Sequence, residues 1–425
     1  MKTLRNLLIL TLVAAMSIAA TAADPSRTSY TFAECEGSLT PYPTRIQQVN
    51  YPDSLVPVFI NHVGRHGSRY PASSANCLAL KRLLERADSA GTITRLGREL
   101  MALNNEIISL STNRWGALDS VGMGEQQAIA ARMFMNFAEL FGDGKKTTAL
   151  SSYSPRAMMS MYAFTHQLDR LNNRTTFTTS TGRVNSALMR PFDIDENYLE
   201  FRRNKAWEPA YAEYFDAACP TSAIRRAVGA GFVFADEAEA RNAAITEYYV
   251  VASLPAMGLA NEFDKYFTIP EANALWSCFN LRQYLQRTAS TVSTVPADIA
   301  SDLVLDLIET TDAFITGGDT ETTVRLRFGH AETLMPLLSL LRIPGCYYLT
   351  NYFDTVAQHW CDFRVVPMAA NLQMIVFRAQ ETGNYYVRVD LNEVPVQLRK
   401  GDSAIYFSWG ELRRFMMNCV PIYEQ

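Results

Sequence analysis

Val56-Pro-Val-Phe-Ile-Asn-His-Val63, followed by Gly64-Arg-His-Gly-Ser-Arg-Tyr-Pro71, is the stretch on which the fold turns. Its first half is rich in β-branched and aromatic residues and reads as a strand that the glycine ends. Its second half crowds Arg65, His66 and Arg69 around Gly67, just past the strand end. A helix is expected from about Ser74, because Cys77, Leu80, Leu83, Leu84 and Ala87 recur at helical spacing. Strand, charged turn and helix in this order open an α/β unit, and open α/β sheets hold their ligands beyond the carboxyl ends of the strands.

Working outward, the same order recurs twice. Residues 147–152 read as a strand, Ser154 as an N-cap and Pro155 as the first helical residue. Arg156 lies in that turn, and an apolar stripe through Met158, Met161, Tyr162, Thr165 and Leu168 marks the helix. Residues 322–328 read as a strand, Gly329 as a turn, and His330 opens a helix carrying Leu334, Leu337, Leu338 and Leu341. Between the first two units, Gly122 and Gly124 precede a long helix expected over 125–141. Further strands are expected at 372–378, 385–391 and 394–398. From about Arg183 to Asp298 the texture is Ala-, Tyr- and Glu-rich and mostly helical in pattern. The expectation is an α/β fold: a largely parallel sheet flanked by helices, built from residues 23–183 and 299–425. A smaller, mainly helical domain is expected to be inserted at 184–298.

Bulk properties bound the function. Lys2 and Arg5, an apolar run over 7–20 and Ala20-Thr21-Ala22 have the layout of a secretory signal peptide, so residues 1–22 are expected to be removed and the protein periplasmic or secreted. The remaining chain keeps 37 basic against 43 acidic residues, a net charge of −6, which carries no footprint for nucleic acid. No later run of about 18 apolar residues follows, so no membrane insertion is expected after signal removal. None of the seven cysteines (35, 77, 219, 278, 346, 361 and 419) lies in a CxxC pair, which argues against zinc and thioredoxin-type chemistry. In an oxidising compartment some are expected to pair, with at least one left over.

Three strand ends thus present three arginines, two histidines and a carboxylate. Phosphoryl transfer from a monoester needs cations for the equatorial oxygens, an in-line nucleophile and an acid for the leaving alkoxide. Arg65, Arg69 and Arg156 fit the phosphate-binding clamp, with His330 as a further donor. His66 fits the nucleophile, because a neutral imidazole is competent at mildly acid pH. Glu332 fits the acid, and Gly67 has no side chain to block approach to the phosphate. His62 reads as a structural strand residue and His166 as a helix-face residue, while His359 has no assigned role. Residues 202–205 read as solvated surface. Residues 143–146 read as a turn, since the earlier Gly and the Ser/Thr of a P-loop are missing.

Arg65-His66-Gly67-Ser68-Arg69-Tyr70-Pro71 resembles the RHGxRxP signature of the branch-2 histidine acid phosphatases. Ser151 to Phe164 resembles the Arg-bearing turn of that family. His330-Ala331-Glu332 departs from the usual His-Asp and is similar to the His-Ala-Glu of multiple inositol polyphosphate phosphatases; Asn392-Glu393 also has a family look. The resemblance spans about residues 56 to 396. It implies a phosphohistidine intermediate, no metal or other cofactor, small phosphorylated substrates such as inositol phosphates, and an α/β domain beside a helical one. Competing readings on the same scaffold are a broad acid or sugar phosphatase and a mutase, the latter disfavoured by the export signal. A different class would be a non-catalytic binder of phosphorylated ligands.

Overall fold

The structure, a computed structural model, describes residues 27–46, 49–398 and 403–421. The signal peptide expected over 1–22 lies outside the described residues. Among the described residues eight strands form one sheet: β1 (Leu55–Arg65), β2 (Lys146–Ser151), β3 (Thr176–Ser180), β4 (Thr322–Gly329), β5 (Asn371–Ala379), β6 (Tyr385–Leu391), β7 (Val394–Pro395) and β8 (Phe407–Ser408). Their order is β3-β2-β4-β1-β5-β6-β7, with β8 also paired to β6. β3, β2, β4 and β1 run parallel, and β5 to β8 extend the sheet antiparallel. Register aligns the carboxyl ends that matter: Arg65 lies opposite Gly329, and Ser151 opposite Phe328.

Side-chain alternation along these strands feeds two cores. On one face Ile60, Val324, Leu326 and Phe328 pack with Ile129 and Met133 of α3 (Ser120–Asn136) and Met161, Phe164 and Leu168 of α4 (Pro155–Leu171). On the other, Phe59, Val63, Leu372 and Met374 meet Leu303, Leu307, Leu334 and Leu338 from α10 (Ser301–Ile315) and α11 (Ala331–Leu340). Truncating a ring such as Phe164 or Phe328 to alanine would cost about 3–5 kcal/mol.

A third core is helical. It joins α1 (Ala75–Ser89) and α2 (Arg95–Ser111) to the helices between β3 and β4. Those are α5 (Glu196–Asn204), α6 (Glu208–Ala218), α7 (Ser222–Val228), α8 (Glu237–Ala252) and α9 (Ile269–Arg287), with several shorter turns. Leu80, Leu84, Leu100 and Ile107 pack there with Ile224, Tyr248, Leu275 and Trp276, so residues on both sides of the second site turn, at Arg156, contribute to it. α12 (Trp409–Cys419) closes the chain against α10.

Several sequence expectations need correction. α3 starts at Ser120 because Asp119 caps it, its Oδ1 accepting from Val121 N at 2.9 Å, and it ends at Asn136. In α4, Met158 and Tyr162 lie off the buried stripe, whose places Ala157, Ser160 and Phe164 take. The strand expected over 394–398 is only two residues long. All seven cysteines are buried and free, so the expected disulfides are not formed; Cys219 Sγ and Cys361 Sγ donate to the carbonyls of Arg241 and Ala357.

Candidate active site

The turn after β1 is fixed by α3 and α4. Ser68 donates to Glu125 through both N and Oγ at 2.7 Å, Gln126 Nε2 donates to Arg65 O at 2.9 Å, and Gly67 N donates to Ser160 Oγ at 3.1 Å. The glycine at 67 is required for a reason the sequence did not suggest. A Cβ there would sit 2.3 Å from Gly122 O, and one on Gly122 would sit 2.2 Å from Ser68 O. Backbone of α3 therefore lies directly against the turn, and both glycines serve that contact.

His66 N donates to Gly329 O at 3.1 Å, tying the histidine to the end of β4. Its Nδ1 lies 2.9 Å from Gly67 O, and a carbonyl only accepts, so Nδ1 carries the proton and Nε2 the free lone pair. Burial, then Arg156, Arg65, His330 and Arg69, hold its pKa well below the ordinary value, so the ring stays neutral through mildly acid pH. Arg65 is anchored by Nη1 donating to Ser38 O and Val366 O, both at 2.6 Å; Arg69 Nη1 donates to Tyr70 O at 2.9 Å. The Nε atoms of Arg65, Arg69 and Arg156 are buried donors without a hydrogen-bond partner, a costly state that an anion would relieve.

His330 stands at the N-cap of α11, its ring centroid 5.5 Å from that of His66. Arg190 Nη1 donates to its Nε2 at 2.8 Å, and Ser152 Oγ is also 2.8 Å from that atom. A guanidinium has no acceptor, so the His330 proton resides on Nδ1. Nδ1 then faces Arg156 Nη2 at 3.5 Å, donor to donor, a contact that favours a shared acceptor such as a phosphate oxygen. Burial and Arg156 push the His330 pKa down to about 3, so this donor too is neutral.

Glu332, in the first turn of α11, takes a hydrogen bond from Arg287 Nη2 at 2.9 Å. Burial would raise its pKa, but Arg287, His330 and Arg65 outweigh this and hold it well below the usual carboxylate range. The fold thus gathers all six residues singled out from the sequence: Arg65, His66, Arg69, Arg156, His330 and Glu332. It adds two that sequence reasoning missed. Arg190, braced by Asp193 at 2.6 Å, and Arg287, at the end of α9, come from the helical stretch and carry no local motif. Among the described residues no group of three or more His, Cys, Asp or Glu side chains is arranged to hold a metal.

A neutral imidazole under the influence of several guanidinium groups, set at the ends of parallel strands, is the arrangement that an α/β phosphatase needs. The sequence profile of the histidine phosphatase superfamily (branch 2) matches residues 243–392, a stretch that includes His330 and Glu332. The chain is similar to multiple inositol polyphosphate phosphatase 1 of Gallus gallus, 22% identical over 384 residues, covering 87% of this chain and 84% of the relative. The Homo sapiens protein of the same name is 25% identical over 382 residues, covering 83% and 78%. The same architecture is seen in Bifidobacterium longum multiple inositol polyphosphate phosphatase in complex with phosphate (TM-score 0.76, 20% identity, 91% of this chain and 98% of that one). The phytase of D. castellii shares it as well (TM-score 0.70, 17% identity, 92% and 86%).

Proposed function

We propose that the protein hydrolyses inositol polyphosphates, phytate among them, by way of a phosphohistidine at His66. The observation that carries this reading is the hydrogen bond from His66 Nδ1 to Gly67 O, which commits Nε2 to nucleophilic attack beside several buried, partly unpartnered guanidinium groups. In the first half-reaction Nε2 forms a P–N bond as the P–O bond to the inositol oxygen breaks. Glu332 gives its proton to that oxygen, while Arg65, Arg69, Arg156 and His330 Nδ1 hold the equatorial oxygens. In the second, water attacks phosphorus and passes a proton to Glu332, and the P–N electron pair returns to His66 as phosphate leaves. The names of the similar proteins support the substrate class, as does the surplus of cations. Arg183 and Arg190 both lie over the Tyr153 ring, at 4.4 and 4.7 Å, at hand for further phosphates.

The proposal extends to location and architecture: export after loss of residues 1–22, and residues 184–298 as an inserted helical unit on the 23–183 and 299–425 core. Among the described residues no helix is long and apolar enough to cross a membrane. The test is phosphate release from phytate, glucose phosphates and aryl phosphates across pH 3 to 8. Preference for phytate, with no loss of rate on acidification through pH 6.5, is expected, because His66 stays neutral there. Equal use of all three substrates would replace this reading with a broad acid phosphatase.

A further inference from the structure

Glu332 presents a difficulty for any reaction that needs it as an acid: the free site holds it in the wrong form. Its Oε1 is paired with Arg287 Nη2 at 2.9 Å, and the guanidinium is further held by Gln283 Oε1. The cation and the acid come from different parts of the chain, Arg287 from the last turn of α9 and Glu332 from the first turn of α11. Both lie at the edge of the site, with 20% and 34% of their side chains exposed, so solvent and substrate reach them. Arg287 Nε is a buried donor without a hydrogen-bond partner, so the guanidinium has capacity beyond the carboxylate.

We infer that Arg287 is a positioning residue that keeps Glu332 deprotonated until a second phosphate of the substrate draws the guanidinium away. The inference rests on the reading of the substrate as a polyphosphate and deepens it. A phosphate dianion offers more charge and more acceptor oxygens to a guanidinium than one carboxylate does. When the phosphate next to the scissile one takes Arg287, Glu332 loses its cation and gains an anionic neighbour, and both changes favour uptake of a proton from solvent. That proton then goes to the leaving inositol oxygen as the P–O bond breaks. A monophosphate fills only the clamp of Arg65, Arg69 and Arg156, leaves the Arg287–Glu332 pair intact and meets an unprotonated acid. The groups facing Glu332 are Arg287, His330, Arg65, Arg69, Arg156 and Tyr198. Of these, only Arg287 is both paired with Glu332 and placed outside the clamp.

The experiment compares wild type, Arg287→Gln and Arg287→Lys on phytate, glycerol 2-phosphate and 4-nitrophenyl phosphate, with full pH profiles of kcat/KM. The alkaline limb for glycerol 2-phosphate reports the acid of the free enzyme. In Arg287→Gln it is expected to move up by about one pH unit or more, the direction that loss of a neighbouring cation dictates. The ratio of glycerol 2-phosphate to 4-nitrophenyl phosphate turnover should rise several-fold at pH 6, since the aryl ester needs little acid. Phytate kcat/KM should fall at least about tenfold, and Arg287→Lys should restore the wild-type limb. Placing Arg287→Gln in a Glu332→Gln background should remove the limb shift. An unmoved limb, or a parallel fall on alkyl and aryl esters, overturns the inference. Failure of the wild type to hydrolyse phytate would overturn the substrate reading instead, while the limb for glycerol 2-phosphate would still decide the role of Arg287.

Discussion

Two glutamates in two regions of the molecule face opposite surroundings. Glu332 stands at the strand ends, about one third exposed, among arginines that hold it charged. Glu247 stands in α8, inside the helical core, fully buried, with neither carboxylate oxygen hydrogen-bonded. Burial there, countered by Arg226 and reinforced by Glu271, pushes its pKa up to about 8. The side chain is the same and both lie in helices, so neither residue type nor helical context decides the protonation state. The difference is the density of cations within reach. In the site, guanidinium groups outnumber carboxylates because the place is built for an anion. In the helical core, Arg226 is already committed to Glu271, through two charge-assisted hydrogen bonds.

The strongest test of that contrast removes the proposed nucleophile. His66→Ala should lower phosphate release from every substrate, aryl esters included, by at least about a thousandfold, while the fold persists. Substrate-derived phosphate trapped on the wild type should sit on a histidine, in an acid-labile, base-stable bond. A label on serine would break the assignment. The acid comes next. Glu332→Gln should slow hydrolysis of inositol phosphates by about 10²–10⁴-fold, the usual worth of a positioned acid, and that of an aryl phosphate far less. Equal losses on both would show that Glu332 is not the proton donor.

Arg156 lies between the two histidines in its influence. Burial and Arg156 together depress both imidazoles, so Arg156→Met should raise the pKa of His66 and His330 and weaken competition by inorganic phosphate. A loss of about a hundredfold in kcat/KM is expected, the scale for one preorganised donor. The acid limb of the profile should move toward neutral pH, because protonation of His66 removes its lone pair. NMR titration of the two rings would show whether the cation cluster, and not burial alone, keeps them neutral.

How much of this was legible beforehand follows the reach of each interaction along the chain. β1, β2, β4 and the convergence of the six candidate residues were readable because each strand end carries its charged turn within a few residues. The five residues Cys77, Leu80, Leu83, Leu84 and Ala87 are the buried positions of α1, since one helical face meets one core. β3 was missed because four of its five residues are exposed Thr or Ser, and α2 because its buried positions include Gly97, Asn104 and Ser111. Arg190 and Arg287 were invisible for a different reason. They reach His330 and Glu332 across 140 and 45 residues, and nothing in their neighbours marks them. The close contact of Gly67 with Gly122 was equally unreadable, since it depends on how a helix lies against a turn.

The smallest effect expected falls on stability and belongs to the other glutamate. The folded-state pKa of Glu247, about 8, lies above the ordinary carboxylate value. Its contribution to stability is therefore fully present below about pH 4.5 and is lost as pH rises toward 8. Between those limits the folded chain holds one proton that the unfolded chain has released, so stability should decline with pH. The loss attributable to Glu247 is on the order of 1–3 kcal/mol, once relaxation and water entry are allowed for. Glu36 and Asp362, raised by burial to about 7 and about 6, add slopes of the same sign, so the wild type should show a sum. Glu247→Gln cannot titrate and should shed its share of that slope. Urea midpoints at pH 5 and pH 8 should accordingly lie closer together in the variant than in the wild type. The amide would still be buried without a partner, so the comparison rests on the pH slope and not on absolute stability. A variant that kept the full wild-type slope would mean that Glu247 is paired or hydrated in solution. The two glutamates would then differ only in degree, and the density of cations would no longer be what separates them.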